Sequence, residues 1–325
     1  MIYIEHDSLD PFFWFGLEKS LLQGGALSDD VFLFWRTEPT LMLGRYQNAA
    51  AEINEEYADR RGIHIVRRLT GGGTIYTDPG SWQFSFIRRE RDKQINFGEF
   101  VLPVLDGLRQ MGLNAQMSAR NDLLIDGKKF CGNAQYHGGG RVLHHGSILF
   151  DADIEEMVRS LTVDSEKIIS KGIRSVRQRV TNLKEHINGD MDAEAFRDRL
   201  LFHMLPDSVE RRTLSPADVL RIERMHAAMF RSWDWVFGSS PDFQVVNSKR
   251  LPGGKVEVRL NLENGVITDC GIAGDFFFAG DLDAVTERLR GCPYTRQSVY
   301  AALSEALSDR PFYQIGLEEL MTCLL

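Results

Sequence analysis

Apolar positions along this chain switch between helical spacing and short continuous runs, and the switches lay out its elements. Phe13, Leu17 and Leu21 recur at helical spacing over 10–22, with Asp10 suited to the N-cap and Pro11 to the first helical position. Positions 31–35 (Val-Phe-Leu-Phe-Trp) and 40–43 (Thr-Leu-Met-Leu) are unbroken apolar runs, read as buried strands parted by a turn at Pro39. Gly44-Arg45-Tyr46-Gln47-Asn48 leaves the second run as a polar loop. A short strand over 64–68 enters three consecutive glycines, Thr74-Ile75-Tyr76 leaves them, and a strand at 82–87 follows Asp78-Pro79-Gly80. An amphipathic helix is expected over 97–111.

Positions 122–125 and 129–132 read as a hairpin closed by Asp126-Gly127. Regular pairing there puts Lys129 and Cys131 on one face, and Lys128 and Phe130 on the other. A strand over 145–150 follows, then helices over 154–161, 193–204 and 216–231, the last with Ser215 as N-cap and Pro216 behind it. Gly238-Ser239-Ser240-Pro241 is the linker candidate. Beyond it Val256, Val258, Leu260 and Leu262 alternate with polar residues as a half-exposed strand, which Asn264-Gly265 turns back into Val266-Ile267-Thr268. Two short helices, at 282–290 and 296–308, follow. The pattern predicts an α+β fold of antiparallel or mixed sheets with flanking helices, not a Rossmann arrangement. A catalytic domain over 1–240 precedes a small α+β domain over 241–325.

Composition narrows the class. With 325 residues, 43% hydrophobic and 26% charged, the chain is ordinary for a globular protein and long enough for two domains. A net charge of −8 speaks against a general nucleic-acid binder, yet leaves room for a local basic pocket from Arg67, Arg68, Lys128 and Lys129. The N-terminus lacks the pattern of a signal peptide, and no apolar run approaches the ~18 residues of a membrane helix. The four cysteines show neither metal-ligand spacing nor disulfide density, which points to a reduced, cytoplasmic protein.

The chemistry concentrates in Arg67-Arg68-Leu69-Thr70-Gly71-Gly72-Gly73-Thr74-Ile75-Tyr76. Glycines let backbone N–H groups approach an anion closely, and a neighbouring guanidinium can clamp a phosphate or carboxylate. The stretch is neither a Walker A loop nor a dinucleotide turn, and a plain tight turn stands as the alternative. Lys129, on a partly desolvated face, would need a carboxylate or a bound anion, although an edge lysine in water is the ordinary case. Cys131 is read either as an acyl-transfer nucleophile or as a small pocket-lining residue. His137, His144 and His145 lack the companions of a metal set and read as surface or pocket histidines. The basic run 171–179 is a solvated face or a loop that closes over phosphates.

Taken together, these motifs resemble the lipoate-protein ligase A family of the biotin/lipoate ligase superfamily. The residues that carry the resemblance are Arg67 to Gly73, Asn121-Asp122-Leu123, Lys129-Phe130-Cys131-Gly132-Asn133-Ala134, His144-His145-Gly146-Ser147, Lys171-Gly172-Ile173-Arg174 and Arg179-Val180-Thr181-Asn182. The stretch Ser232-Trp233-Asp234-Trp235 and the trailing domain extend it to the whole chain. The resemblance implies a class II synthetase-like catalytic fold. It also implies a two-step reaction, in which lipoate and MgATP give lipoyl-adenylate and the lipoyl group then passes to a lysine of an apo lipoyl domain. Such an acceptor would be a glycine cleavage H protein or the acyltransferase subunit of a 2-oxoacid dehydrogenase. By motif position, Arg68, Asp122 and the backbone of Gly73, Thr74, Ile75 and Tyr76 would contact the nucleotide. Gly71, Gly72 and His145 would lie by the lipoyl group, and Lys129 would bridge carboxylate and α-phosphate as the catalytic residue. Mg²⁺ would come with ATP, and no protein metal site is expected.

Three departures fall within these motifs, one of them Cys131, where the family commonly has a serine or similar small residue. Where the family commonly has His-Asp and then Gly-Asn, this chain has Thr77-Asp78 and Gly80-Ser81-Trp82, changes expected to line the pocket. The competing readings are an ATP-independent octanoyl or lipoyl transferase working through Cys131, and a non-catalytic lipoyl-binding paralogue.

Overall fold

The computed structural model describes residues 1–24, 29–47, 49–89, 94–161, 176–237, 245–307 and 311–324. Its strands are β1 (Ile2–Glu5), β2 (Val31–Trp35), β3 (Thr40–Leu43), β4 (His64–Arg67), β5 (Ile75–Thr77), β6 (Ser81–Arg89), β7 (Gln116–Met117), β8 (Asp122–Ile125), β9 (Lys128–Gly138), β10 (Arg141–Leu149), β11 (Glu210–Thr213), β12 (Val245–Leu251), β13 (Gly254–Glu263) and β14 (Val266–Gly274). Among the described residues they form three sheets. The largest runs β11-β1-β2-β6-β10-β9-β8-β7; its β11-β1-β2 edge is parallel and the rest antiparallel. A second sheet, β4-β3-β5, carries the glycine-rich turn between its outer strands.

The two apolar runs at 31–35 and 40–43 are the strands expected, but they part company: β2 enters the large sheet and β3 the small one. The helix Pro11–Leu22 packs across this junction. The Asp10 side chain accepts from Phe12 N at its N-terminus, and Phe13, Trp14, Phe15 and Leu17 are all buried. Burial of nearly its whole circumference makes it a core helix rather than an amphipathic surface one. On its other side lies the stretch expected as one helix over 216–231. That stretch is three segments, Pro216–Ile222, a π-turn over Glu223–Ala227, and Ala228–Arg231. A Cβ on Gly16 would stand 2.9 Å from Ala227 N, so only glycine permits this crossing.

The opposite face of the large sheet is covered by the helices Gly98–Gln110 and Ala193–Met204 over a core of Phe32, Phe34, Phe84, Phe86, Phe130 and Phe150. A separate core, drawn from Leu251 to Leu324, joins the β12-β13-β14 meander to helices Leu282–Leu289, Arg296–Ala306 and Leu317–Leu324. Val256, Val258 and Leu260 alternate inward as expected, and Asn264 and Gly265 turn with φ of 51° and 76°. The expected linker at 238–241 and positions 170–175 of the basic run lie outside the described residues.

The hairpin at Asp126-Gly127 forms, but its phase differs from the expectation. The register shifts between Leu123 and Leu124, so Leu124 faces Lys129 while Leu123 faces Cys131. Phe130 is the extra residue of a β-bulge. Phe130 and Cys131 therefore both enter the core, at 0% and 1% exposure. Lys129 lies instead on the face of Gly132, where a Cβ would stand 3.1 Å from its Nζ.

Candidate active site

A cavity of about 130 Å³ opens where the two N-terminal sheets, the helix Pro11–Leu22 and the C-terminal domain meet. Phe15, Trp35, Met42 and Ile75 give it an apolar side, and Phe277 contributes a ring from the C-terminal domain. Its polar side comes from Lys129, Asn121 and Asn133 at one end and from Gln83, Ser147 and His145 along the floor. Arg68, Gly72, Gly73 and Thr74 form the rim opposite. Thus seven of the expected residues (Arg68, Gly72, Gly73, Thr74, Ile75, Lys129 and His145) come together on one cavity.

The other three stand just behind it. Asp122 holds Lys129 by an ion pair of 2.7 Å, Oδ1 to Nζ. Gly71 packs against the C-terminal domain, since a Cβ there would stand 2.3 Å from the Phe276 carbonyl oxygen. The Tyr76 ring is buried with Leu41, Leu43 and Ala49, and burial raises its pKa, so any contribution to the cavity is through its backbone.

The two arginines differ from the sequence expectation of a basic pocket. Arg67 turns away from the cavity. Its guanidinium donates to the carbonyls of Gly44, Gln47 and Val236, fastening the 44–47 loop to the Trp233–Val236 helix. Arg68 lines the cavity but makes four hydrogen bonds within the protein, three to the turn itself and one to β3. Nε donates to Thr70 Oγ1 at 3.0 Å, Nη1 to Met42 O at 2.6 Å, and Nη2 to Gly71 O at 2.9 Å and Gly73 O at 2.7 Å. Burial, with Arg67 beside it, pushes its pKa down to about 9, so it keeps its charge at neutral pH. Arg68 shapes the glycine turn before it meets any ligand. Lys128 does not line the cavity either, which leaves Lys129 as the cation of the 128–129 pair that does.

One member of the site escaped the sequence reading. Glu18, on the helix Pro11–Leu22, is 1% exposed, and its Oε1 accepts from Ser85 Oγ at 2.6 Å and pairs with His145 Nδ1 at 3.1 Å. His145 Nε2 lies 2.8 Å from Thr70 Oγ1. With the ring neutral the donors follow in one direction: Arg68 to Thr70, Thr70 to His145, His145 to Glu18. Two buried side chains, Arg68 and Glu18, are thereby linked through Thr70 and His145. Glutamate one residue after Leu17 reads as a solvated helix position in sequence, and nothing local signals its burial.

Other candidates for chemistry resolve into structure. Cys131 is buried among apolar side chains and burial pushes its thiol well above the usual range, which removes it as a nucleophile. His144 lies on the opposite face, stacked on Phe100, with Nδ1 3.3 Å from Gln135 Nε2 and Nε2 3.2 Å from Asn133 Oδ1. Of the other two departures, Thr77 is buried and its Oγ1 accepts from Gln83 Nε2 at 2.6 Å. Trp82 does not line the cavity: it points into the other core, stacked on Phe34 at 5.0 Å. The residues just past the basic run dock beside the site, with Thr181 N donating to Lys129 O at 3.0 Å. The C-terminal domain closes over the turn, the Gly72 N–H donating to Phe276 O at 3.0 Å, while Arg120 lies 5.4 Å from the Phe277 ring.

A mixed sheet that frames a small cavity with a glycine turn and a lysine fits a ligand-binding α+β protein. The family model of the lipoyl protein ligase A/B catalytic domain matches residues 10–205, and that of the bacterial lipoate protein ligase C-terminus matches 240–324. Lipoate-protein ligase LplJ of Bacillus subtilis is 37% identical over 319 residues, covering 96% of each chain. Lipoate–protein ligase 1 of Staphylococcus aureus is 32% identical over 99% of each. Among solved structures, that of P. falciparum LipL1 in complex with lipoate superposes with a TM-score of 0.78 at 22% identity, covering 99% of this chain and 98% of that one. A lipoate-protein ligase A bound with ATP covers 73% of this chain and 98% of its own, with a TM-score of 0.63 at 22% identity. The chain belongs to the lipoate-protein ligase family, and is an enzyme.

Proposed function

We propose that this chain activates lipoate with ATP to lipoyl-adenylate and passes the lipoyl group to a lysine of an apo lipoyl domain. Residues 1–240 serve as the catalytic domain and 241–325 as the accessory domain. The observation that carries the reading is the placement of Lys129 Nζ at the polar end of a largely apolar cavity, beside a glycine turn. Relatives named lipoate-protein ligase over the full chain, and fold neighbours holding lipoate or ATP, support it.

In the first step a carboxylate oxygen attacks the α-phosphorus, an O–P bond forms, and the bond to the β-phosphate oxygen breaks to release pyrophosphate. The two reactants are both anions. The Lys129 ammonium would draw them together while Asp122 holds it in place, and positioning of this kind contributes to the rate as entropy already lost on binding. Gly73, Thr74, Ile75 and Tyr76 would offer backbone to the nucleotide. Mg²⁺ would supply charge neutralisation on the ATP phosphates. Among the described residues no cluster of three His, Cys, Asp or Glu side chains is set to hold a metal. In the second step an acceptor lysine attacks the acyl carbon, AMP departs and the amine gives up a proton. Phe277 and the rim would keep water from the mixed anhydride meanwhile.

Among the described residues no helix is long and apolar enough to cross a membrane. The four free cysteines suit work in a reducing cytoplasm. The acceptor would be a glycine cleavage H protein or a 2-oxoacid dehydrogenase subunit. The test is to mix protein, lipoate, MgATP and an apo lipoyl domain and to weigh the acceptor by mass spectrometry. A lipoyl mass increment that requires ATP is expected; modification without ATP would defeat the reading.

A further inference from the structure

His144 is a buried titratable group that the proposed steps do not use. It is fully buried and stacked on Phe100, on the face of the large sheet away from the cavity. Its ring nitrogens nevertheless belong to a hydrogen-bonded chain that ends beside Lys129. Backbone groups at both ends of that chain fix the direction of its bonds.

At one end the backbone of Asn96 sets the Gln135 amide: Oε1 accepts from Asn96 N at 2.9 Å and Nε2 donates to Asn96 O at 2.6 Å. Gln135 Nε2 therefore presents an N–H to His144 Nδ1 at 3.3 Å, so Nδ1 accepts and the ring proton sits on Nε2. Burial holds the ring well below its ordinary pKa, so it stays neutral in this tautomer. His144 Nε2 then donates to Asn133 Oδ1 at 3.2 Å, and Asn133 Nδ2 donates to Asn121 O at 2.9 Å. Asn121 is held twice more, its carbonyl accepting from Asn133 N at 3.0 Å and its Nδ2 donating to Asn133 O at 2.8 Å. Gly146 leaves room for the amide, since a Cβ there would stand 2.6 Å from Asn133 Oδ1. The Asn121 carbonyl at the far end thus demands the same orientation of Asn133 that Asn96 imposes from the near one.

On the reading that Lys129 joins carboxylate and α-phosphate, we infer that His144 is a positioning residue for adenylate formation. It touches no reactant. By fixing the Asn133 amide it holds Asn121, and with it the next residue, Asp122, whose Oδ1 pairs with Lys129 Nζ at 2.7 Å. Removal of the imidazole donor takes away the contact that sets the amide from the His144 side. An amide turned over would meet the Asn121 carbonyl with an oxygen instead of an N–H, and the start of β8 would shift. Lys129 would shift with it, and a displacement of about 1 Å is enough to slow a reaction that depends on alignment.

The test reads lipoate-dependent pyrophosphate exchange with MgATP in two variants. His144→Phe keeps a ring on Phe100 but donates nothing, whereas His144→Gln keeps an N–H for Asn133. Expected is a kcat lowered about tenfold in His144→Phe, with KM for lipoate and for ATP changed by less than about twofold. His144→Gln should stay within about threefold of the unaltered protein. In a Lys129→Met chain, His144→Phe should remove less than about twofold more, because its effect passes through the lysine. An unchanged kcat or a rise confined to KM in His144→Phe, no recovery in His144→Gln, or the full loss repeated in the Lys129→Met chain overturns the inference. Nitrogen-15 spectra of the histidine-labelled, unaltered protein, assigned by the signals lost in His144→Gln, should show His144 protonated at Nε2 and bare at Nδ1 at neutral pH. The other tautomer or an imidazolium overturns the inference even where His144→Phe fails to fold. Absence of exchange in the unaltered protein would instead overturn the ligase reading.

Discussion

Glu18 offers the sharpest test of how the site is held. Its Oε1 accepts from Ser85 at 2.6 Å and pairs with His145 at 3.1 Å, with 1% of the residue exposed. Glu18→Leu keeps the volume and removes both acceptors, leaving the His145 Nδ1–H buried and unanswered. Hydrogen bonds to a charged group contribute ~1.5–3 kcal/mol each, so two of them make the loss about 3–5 kcal/mol after the apolar gain of leucine. Glu18→Gln retains an acceptor for one or both donors and should lose about half of that. In urea unfolding followed by circular dichroism, the midpoints should fall in the order wild type, Gln, Leu, with Tm for Leu lower by about 10 °C. Because the same hydrogen-bonded chain runs through Thr70, Glu18→Gln and Thr70→Val should couple by more than about 0.5 kcal/mol in a double-mutant cycle. A leucine variant within ~1 kcal/mol of wild type, or strictly additive single changes, would refute the relay.

Four other outcomes are expected. Lys129→Met should lower adenylate formation by about 10²-fold or more, read as lipoate-dependent pyrophosphate exchange, because a preorganised cation at the reacting anions has no substitute nearby. Cys131→Ser should keep most of the activity while costing ~1–2 kcal/mol of stability in thermal melts, as a core thiol becomes a buried hydroxyl. Gly72→Ala, where φ is +91° and a Cβ would meet the Phe277 ring at 2.9 Å, should weaken docking of the C-terminal domain and lower Tm, whereas Gly112→Ala, also at positive φ but with open space around it, should show only the backbone cost. Burial holds His144 well below its ordinary pKa, so the unfolded chain takes up a proton below about pH 6.5 that the folded one refuses. Stability contributed above pH 6.5 should therefore be lost as pH falls, by up to ~1.4 kcal/mol per pH unit, and His144→Gln should flatten that slope in urea titrations between pH 5 and 6.5.

Much of the fold was legible because local rules and tertiary packing agreed. The helix Pro11–Leu22, the two apolar strands, the Asp126-Gly127 hairpin and the alternating β13 all stand where their spacing puts them. The short strands β1 and β11 went unread because four residues carry little pattern, and their mutual pairing is set over two hundred positions away. The π-turn at Glu223–Ala227 arises from the close crossing at Gly16, which no window around 223 contains. In the site, the glycine turn and Lys129 were visible as motifs. The orientation of Lys129 against Cys131 was not, since a bulge resets the alternation on which that reading stood. Arg68 looked like a free clamp because sequence cannot show that Met42, Gly71 and Gly73 carbonyls converge on it.

Phe277 and the Phe276 carbonyl close the cavity from a part of the chain some two hundred residues beyond the turn they cover. Around them the joint is broader: Gly274 N donates to Tyr46 O, Tyr46 stacks on Phe276 at 5.0 Å, Arg120 Nη2 donates to Asp275 O at 3.3 Å, and Phe97 packs edge-on against Phe277 and Tyr313. A catalytic half made without them would carry the same lysine, turn and relay, but with a wall missing and the Gly72 amide open to water. Separation of the two halves into independent polypeptides would leave that shared surface to form by association, and would turn closure of the site from a property of one molecule into one of concentration.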